Sequence, residues 1–114
     1  MAKTLDYTCI PDLSDLLTTI PTDSIVSRTF YTGDQVKAIL FGFAAGQELS
    51  EHTASQPTIL HILQGEARLT LGDDTLDAGA GTWAAMPAFL KHSVVAKTPL
   101  TMLLLLLKSN ESSV

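Results

Sequence analysis

Regularly spaced turn signals divide the chain from Ser24 onward into short apolar runs, and this spacing most constrains the fold. Each run is about five to nine residues long and rich in Val, Ile, Thr, Leu and Phe, which is typical of β-strands. The turn signals are Gly33-Asp34, Gly46-Gln47, Gly65-Glu66, Gly72-Asp73-Asp74, Gly79-Ala80-Gly81, Pro87 and Pro99. The pattern predicts an all-β domain of roughly seven or eight strands, as a β-sandwich, a jelly roll or a closed barrel.

The clearest strand signal is the strict alternation of polar and apolar side chains in residues 66–71. Successive side chains of a strand point to opposite faces, so Ala67, Leu69 and Leu71 share one face. We therefore predict a strand with one face on the core and the other in water. Asp73-Asp74, which follows it, is predicted to form a hairpin turn.

Two other runs, Val36–Phe43 and Met102–Leu107, are apolar on both predicted faces. A leucine-rich run also suits a buried helix, but Pro99 before the second run and the threonines near it favour a final strand. Only one face of such a strand packs on the core of a small β domain, so another surface must cover the other face. A subunit interface would do so, and we expect a symmetric homodimer.

The N-terminal region contains the one helical signal. Three leucines within residues 11–17 are spaced for one buried face of a short helix, and Asp12 or Ser14 can cap its start. We accordingly divide the chain into an arm over residues 1–23, one β domain over residues 24–108 and a polar tail over residues 109–114.

Composition excludes several classes of function. The chain has 114 residues, a net charge of −5 and seven basic residues that are scattered singly, which argues against nucleic acid as a ligand. Its most apolar stretch, Leu100–Leu107, is far below the roughly 18 to 20 residues that span a bilayer, so no membrane association is expected. Cys9 is the only cysteine, so neither an internal disulfide nor a cysteine-based zinc site is expected, and a cytoplasmic location fits.

Three histidines, His52, His61 and His92, lie in the predicted β region. Their spacing matches neither a zinc finger nor a helical metalloprotease motif. A sheet can nevertheless bring distant residues together, and imidazole suits zinc, iron, nickel or copper. A lone histidine is more often structural, so proximity of two of them would be the informative observation.

The sequence around these histidines resembles the two motifs of the cupin family. In the first motif, five residues separate Gly46 from His52, and a strand-like segment leads to Gly65. In the second, five residues separate Gly81 from Pro87, and His92 follows in register. The resemblance spans about residues 36 to 107 and implies a cupin-type double-stranded β-helix, a jelly-roll barrel, that is often dimeric and often holds a divalent metal.

This chain departs from the cupin motifs at four positions. Ala54 stands where the family has its second histidine, and Thr58 stands where it has a glutamate. Phe89 replaces the glycine of the second motif and Ala96 its asparagine. The resemblance therefore implies two metal ligands, His52 and His92, for an iron, manganese, nickel or zinc ion.

Strand parity adds candidate pocket residues to the histidine pair. If the cupin register holds, Thr58, Leu60 and Ile62 line the barrel interior and His61 points outward, which argues against His61 as a ligand. A bulge near Pro57 would allow Gln56, Glu48 or Glu51 to approach the site. Met86 completes the predicted ligand pocket of His52, Gln56, Thr58, Leu60, Ile62, Met86 and His92. We expect three large apolar side chains in the core: Trp83, Phe89 and Met86. The alternative is that they line a ligand pocket.

The specific function stays open at this point. One hypothesis is a barrel pocket around two histidines that binds a divalent metal and a small polar ligand. The alternatives are a metal-free module that binds or senses a small molecule, a metal-dependent oxygenase or isomerase, and a structural dimer without a ligand. Whether the protein is an enzyme is not predicted.

Overall fold

The computed structural model describes residues 5–108, which form nine strands and one short turn of 3-10 helix, Leu13–Leu16. The strands are β1 (Ile25–Thr32), β2 (Val36–Phe43), β3 (Glu48–His52), β4 (Thr58–Gln64), β5 (Ala67–Leu71), β6 (Asp74–Ala78), β7 (Trp83–Met86), β8 (His92–Ala96) and β9 (Leu100–Leu107). The all-β prediction is confirmed, although there is one strand more than the upper number expected. Among the described residues, no helix has the length and hydropathy needed to cross a membrane.

The strands form two antiparallel sheets with the core between them. The large sheet has the order β1-β2-β9-β4-β7, and the small sheet has the order β3-β8-β5-β6. Both sheets contribute to one hydrophobic cluster, which contains Phe43, Leu60 and Met102 from the large sheet and Leu69 and Val94 from the small one. The predicted last strand is confirmed, because β9 is a central strand of the large sheet, paired with β2 and β4.

Burial alternates along the strands as the sequence predicts. In β4, Thr58, Leu60 and Ile62 are buried, whereas the residues between them are only half-buried. In β5, Ala67 and Leu69 are fully buried and the residue between them is exposed. The inward orientation predicted for the first set and the outward orientation predicted for His61 are therefore confirmed.

The N-terminal arm packs on the outer face of the large sheet. Leu40 of β2 is fully buried although it lies on the opposite face from Phe41 and Phe43. Ile20 lies against Gly42 on this face, and the Arg28 guanidinium donates to the carbonyl of Leu16 at 3.4 Å. Arm and sheet enclose a groove of about 460 Å³ lined by Thr8, Ile10, Leu13, Phe30, Tyr31, Val36, Ala38, Leu103 and Leu105.

Three local predictions need correction. The helix expected over residues 11–17 is only the single turn Leu13–Leu16, which Asp12 caps by accepting from the backbone N–H of Ser14 at 2.9 Å. Trp83 and Phe89 are not core residues, since their exposed fractions are 59% and 67%. Trp83 faces outward on the edge strand β7 and Phe89 lies in a turn, whereas Met86 is buried as expected. The predicted tail over residues 109–114 lies outside the described residues.

Candidate functional site

His52 and His92 lie side by side on adjacent strands. They are direct partners in the pairing of β3 with β8, and their ring centroids are 4.2 Å apart with a tilt of 56°. His92 is buried, whereas His52 is exposed, so the pair stands where the interior opens to solvent. Both belong to the small sheet, so they are neighbours on one wall of the barrel.

An extra residue in β3 turns His52 toward His92. Leu49 pairs with Val94 and His52 with His92, so three steps along β3 match two steps along β8. Without this register shift, His52 would lie on the opposite face from Leu49, because side chains alternate. This irregularity lies within β3, whereas Pro57 lies in the connection that precedes β4.

Both imidazoles are held by the same kind of hydrogen bond. Nδ1 of His52 donates to the carbonyl of Ser50 at 2.7 Å, and Nδ1 of His92 donates to the carbonyl of Leu90 at 2.8 Å. A carbonyl oxygen only accepts, so in each neutral ring the proton is on Nδ1 and Nε2 keeps its lone pair. The pair therefore presents two basic nitrogens with fixed ring orientations, which is the usual preparation of histidine for a metal.

A small cavity of about 70 Å³ lies beneath the pair. Its lining residues are Phe41, Leu49, His52, Leu60, His92, Val94, Met102 and Leu104. His52, Leu60 and His92 were predicted from the sequence, and the five other lining residues were not. Strand pairing and alternation would have indicated two of these five. Leu104 is the direct partner of Leu60, and Val94 shares a strand face with His92 because it follows His92 by two positions.

Four predicted pocket residues are not part of this lining. Thr58 is buried at the start of β4, where it pairs with Met86 and its hydroxyl donates to the carbonyl of Gln56 at 3.1 Å. Ile62 is fully buried and belongs, with Met86, to the main hydrophobic cluster. Thr58 and Leu60 both point inward from β4, but only Leu60 lines the cavity.

The described residues 5–108 contain no group of three or more His, Cys, Asp or Glu side chains that could hold a metal ion. Glu48 and Glu51, which the sequence analysis considered near the site in a shifted register, are exposed. His61 lies on the other face of the large sheet, opposite Trp83 and Leu103. The described part of the protein thus offers two nitrogen donors, and a metal held there would take its remaining ligands from water or a bound molecule.

A separate charged cluster lies on the small sheet. The Lys97 ammonium donates to Asp77 at 2.7 Å, and Arg68 lies 3.5 Å from the same oxygen. The hydrogen bond from Lys97 lowers the pKa of Asp77 below its ordinary value. This cluster is an exposed ion-pair network on a surface away from the histidines, so we assign it no role in the site.

Comparison with known proteins identifies the fold. Residues 39–107 match a family model described as a cupin domain. A cupin superfamily protein from Desulfitobacterium hafniense is 29% identical, with a TM-score of 0.80 over 94% of this chain and 97% of that one. A conserved protein of unknown function from Streptococcus pyogenes is 26% identical, with a TM-score of 0.79 over 95% and 94% of the two chains.

A more distant structure agrees in fold alone. An RmlC-like cupin from Shewanella frigidimarina is 17% identical, with a TM-score of 0.71 over 79% of this chain and 81% of that one. A comparison with curated proteins finds no match. The predicted cupin-type fold is thus confirmed.

Proposed function

Because this chain belongs to the cupin family, we propose that His52 and His92 bind one divalent metal ion, at which a small polar molecule is held. The ion would be iron, manganese, nickel or zinc, all of which accept imidazole nitrogen. A tightly bound ion needs more donors than two, so the small molecule or water would supply the rest.

The matched Nδ1 hydrogen bonds carry this proposal. Each imidazole donates from Nδ1 to the carbonyl two residues before it, at 2.7 and 2.8 Å, so in both neutral rings Nε2 is the nitrogen that keeps its lone pair. Histidines that served only in packing could adopt different tautomers. A shared tautomer on adjacent strands therefore favours a common ligand. The 4.2 Å separation of the rings brings both within reach of one small ion.

The remaining residues of the site would shape the surroundings of the ion. A bound metal of this kind supplies a Lewis acid that polarises an oxygen of the small molecule. The backbone carbonyls of Ser50 and Leu90 orient the two rings, while Leu60, Val94 and the other apolar lining residues exclude water from the inner side. Such a site suits binding of a small substrate by an oxygenase or isomerase.

Metal analysis of untagged protein purified without chelator tests the proposal. We expect near-stoichiometric metal in the wild type and its loss in His52→Ala and His92→Ala. His61→Ala is the matched control, because His61 is half-buried on the other face of the barrel wall and should leave the metal content unchanged. His52→Ala is the cleaner variant, since His52 is exposed and its loss should not affect folding.

Two outcomes would reject metal binding. One is a well-folded wild type that contains no metal and takes none up when zinc or manganese is supplied. The other is equal loss of metal in all three histidine variants, which would indicate unspecific binding.

A metal-free binding module is the second candidate. Six of the eight residues that line the cavity are apolar, and the described residues contain no group of three ligating side chains. In that case the imidazoles would hydrogen-bond the polar end of a small molecule directly. Binding of the molecule to protein stripped of metal would separate this candidate from the first.

We also propose that two copies of the chain associate through the outer face of the large sheet. This face presents an outer stripe of Ile59, His61, Trp83, Leu103 and Leu105, of which Leu103 and Leu105 also line the groove beneath the arm. These residues are half-buried, except Trp83, which is exposed, and none is a carboxylate or a lysine or arginine.

A cytoplasmic location fits the single cysteine but is likewise a proposal.

A further inference from the structure

The groove beneath the arm is far larger than the cavity beneath the histidines, at about 460 Å³ against 70 Å³. Pockets that hold a small ligand measure roughly 300–1,000 Å³, so the groove has room for a whole molecule. Seven of its nine lining residues are apolar, from both the arm and the sheet, and the other two are Thr8 and Tyr31. A ligand that fits this groove therefore has an apolar body.

A register shift in β1 brings two aromatic side chains into the groove. Thr29 pairs with Ile39 and Tyr31 with Ala38, so Phe30 is the extra residue of a bulge. Consecutive side chains of a regular strand point to opposite faces, yet Phe30 and Tyr31 both line the groove. The bulge thus adds apolar surface to the groove that a regular strand would have placed on the other face.

The arm can adjust over a molecule in the groove. Among residues 5–108, no backbone hydrogen bond joins residues 8–13, which include the lining residues of the arm, to a strand. The one hydrogen bond between the arm and a strand lies outside this segment, from Arg28 to the carbonyl of Leu16 at 3.4 Å. Apolar contacts are not directional, so the segment can shift without breaking a hydrogen bond to the sheet.

A cation lies beside the phenol of Tyr31. The Tyr31 ring packs over Gly33, where an added Cβ would stand 2.8 Å from the phenol oxygen. The carbonyl of the same glycine accepts from the Lys108 ammonium at 2.6 Å. Two N–H groups of this ammonium remain for other acceptors, and among residues 5–108 no carboxylate forms an ion pair with it, Asp34 of the same turn included. Phenol and ammonium thus flank one backbone residue at the border of the groove.

We propose that the groove binds a medium-chain fatty carboxylate, with the alkyl chain between arm and sheet and the carboxylate at Lys108 and Tyr31. The ammonium and the phenol both donate hydrogen bonds, which suits a carboxylate because it only accepts them. An apolar groove with an unpaired cation at its border favours such a molecule over one that is apolar throughout. Neither His52 nor His92 lines the groove, so this site is separate from the proposed metal site.

A series of chain lengths tests the apolar part of the site. Sodium hexanoate, octanoate and decanoate are titrated into the full-length protein by calorimetry. Each added CH₂ should tighten binding about two- to fourfold, as expected where most of the group leaves water. Affinities that do not depend on chain length, or no binding of any of the three, would reject the proposal.

A carboxylate placed in the groove should exclude the ligand. We expect Ile10→Asp, on the arm side of the lining, to weaken octanoate binding at least about tenfold, because like charges repel and the apolar surface is lost. Thr18→Asp is the matched control, exposed on the arm and outside the lining, and should bind as the wild type does. An Ile10→Asp variant with unchanged affinity would contradict a site beneath the arm.

The head of the ligand is tested by octanoate and 1-octanol, which share the alkyl chain. The wild type should prefer octanoate, and Lys108→Gln should weaken octanoate about five- to tenfold while 1-octanol is unaffected. Lys91→Gln removes the same charge from an exposed position outside the groove and should change neither affinity. Equal weakening of both ligands in Lys108→Gln, or no weakening of octanoate, would show that Lys108 does not bind the head.

Two further variants separate this site from the other proposals, with metal content measured in the same samples. His52→Ala and Trp83→Glu should both keep the octanoate affinity, since neither residue lines the groove. Octanoate binding that is lost in His52→Ala would place the ligand in the barrel, and binding found only in Trp83→Glu would mean that a second copy fills the groove in the wild type. Either result overturns the proposal. Intact octanoate binding in a wild type without metal supports the groove and rejects the metal site.

Discussion

Gly65 shows how a single backbone position limits the choice of residue in this barrel. It lies in the turn between β4 and β5 with a φ of +92°, and a Cβ added there would collide with the carbonyl oxygen of Pro99. Backbone oxygen cannot move aside as a flexible side chain can. Gly81, with a φ of +95°, has the same conformation but nothing within 4 Å of an added Cβ.

We predict that Gly65→Ala destabilises the protein by clearly more than Gly81→Ala. The second substitution should cost about 1–2 kcal/mol in the free energy of unfolding, the usual strain of a left-handed residue with a Cβ. The first adds the collision with Pro99, so we expect at least about 3 kcal/mol. Urea unfolding of both variants measures the difference, and equal values would mean that the turn shifts away from Pro99 without cost.

Individual residues also mark how far sequence reasoning reaches. The motif spacing identified His52 and His92, because each stands at a fixed distance from a turn residue that the chain retains. Parity placed His61 outside, because β4 has no irregularity between Thr58 and Ile62. Exposure of Phe89 and Trp83 was missed, since side-chain type predicts burial only on average and neither a turn nor an edge strand has a covering layer.

At the level of elements, the arm and β2 depend on each other. Gly42 of β2 lies under Ile20, and a Cβ at Gly42 would come within 2.8 Å of the Ile20 side chain and 3.3 Å of Val26. The absence of a side chain at Gly42 is what allows the arm to approach the outer face so closely. Leu40, two residues before Gly42 and on the same face of β2, is fully buried.

A double-mutant cycle on Gly42 and Ile20 tests this packing. We expect Gly42→Ala to destabilise by about 1–3 kcal/mol through overpacking and Ile20→Ala to cost about 1–2 kcal/mol through lost burial. The double variant should be more stable than the sum of the two losses, because a smaller side chain at residue 20 leaves room for the new Cβ. Denaturant unfolding of the four proteins gives the coupling, and additive losses would place Ile20 away from Gly42 in solution.

Elements were predicted best where one local pattern decides them. The strict alternation in β5 and the proline before β9 specify these two strands within a few residues. The helix over residues 11–17 was overestimated, because one 3-10 turn with a cap at Asp12 satisfies the same leucine spacing once the arm lies on a sheet. The register shift between Leu49 and His52 leaves no trace in composition, since only pairing with β8 reveals it.

For the whole molecule, the outer stripe is an apolar surface of the large sheet, in which Leu103 and Leu105 line the groove beneath the arm, whereas Ile59, His61 and Trp83 do not. His61 lies between Trp83 and Leu103 in the register of the large sheet, and all three share one face. A second copy related by a two-fold axis would place one stripe on the other, which is how an isologous interface forms. The apolar character of both faces of β9 follows from this arrangement, because one face is core and the other would be interface.

A charge in the stripe should separate the two copies. We predict that the wild type has about twice the chain mass of 12.2 kDa in light scattering at micromolar concentration, and that Trp83→Glu is a monomer. A buried unpaired carboxylate in an apolar interface is costly, while in a monomer the same residue is largely exposed. Thr75→Glu, exposed on the small sheet, is the control and should remain a dimer. A monomeric wild type, or a dimeric Trp83→Glu variant, would contradict this interface.

Trp83 also gives a direct optical measurement, because it is the only tryptophan in the chain. Its exposed fraction of 59% in the isolated chain predicts strong quenching of its fluorescence by iodide. In a dimer formed through the stripe, the indole would be covered, so quenching should weaken as protein concentration rises through the dissociation constant. Ile59→Glu should restore strong quenching at every concentration, since Ile59 lies in the stripe but not in the groove beneath the arm, and its substitution leaves the fluorophore unchanged. Quenching that stays strong and independent of concentration in the wild type would place any dimer contact on another surface.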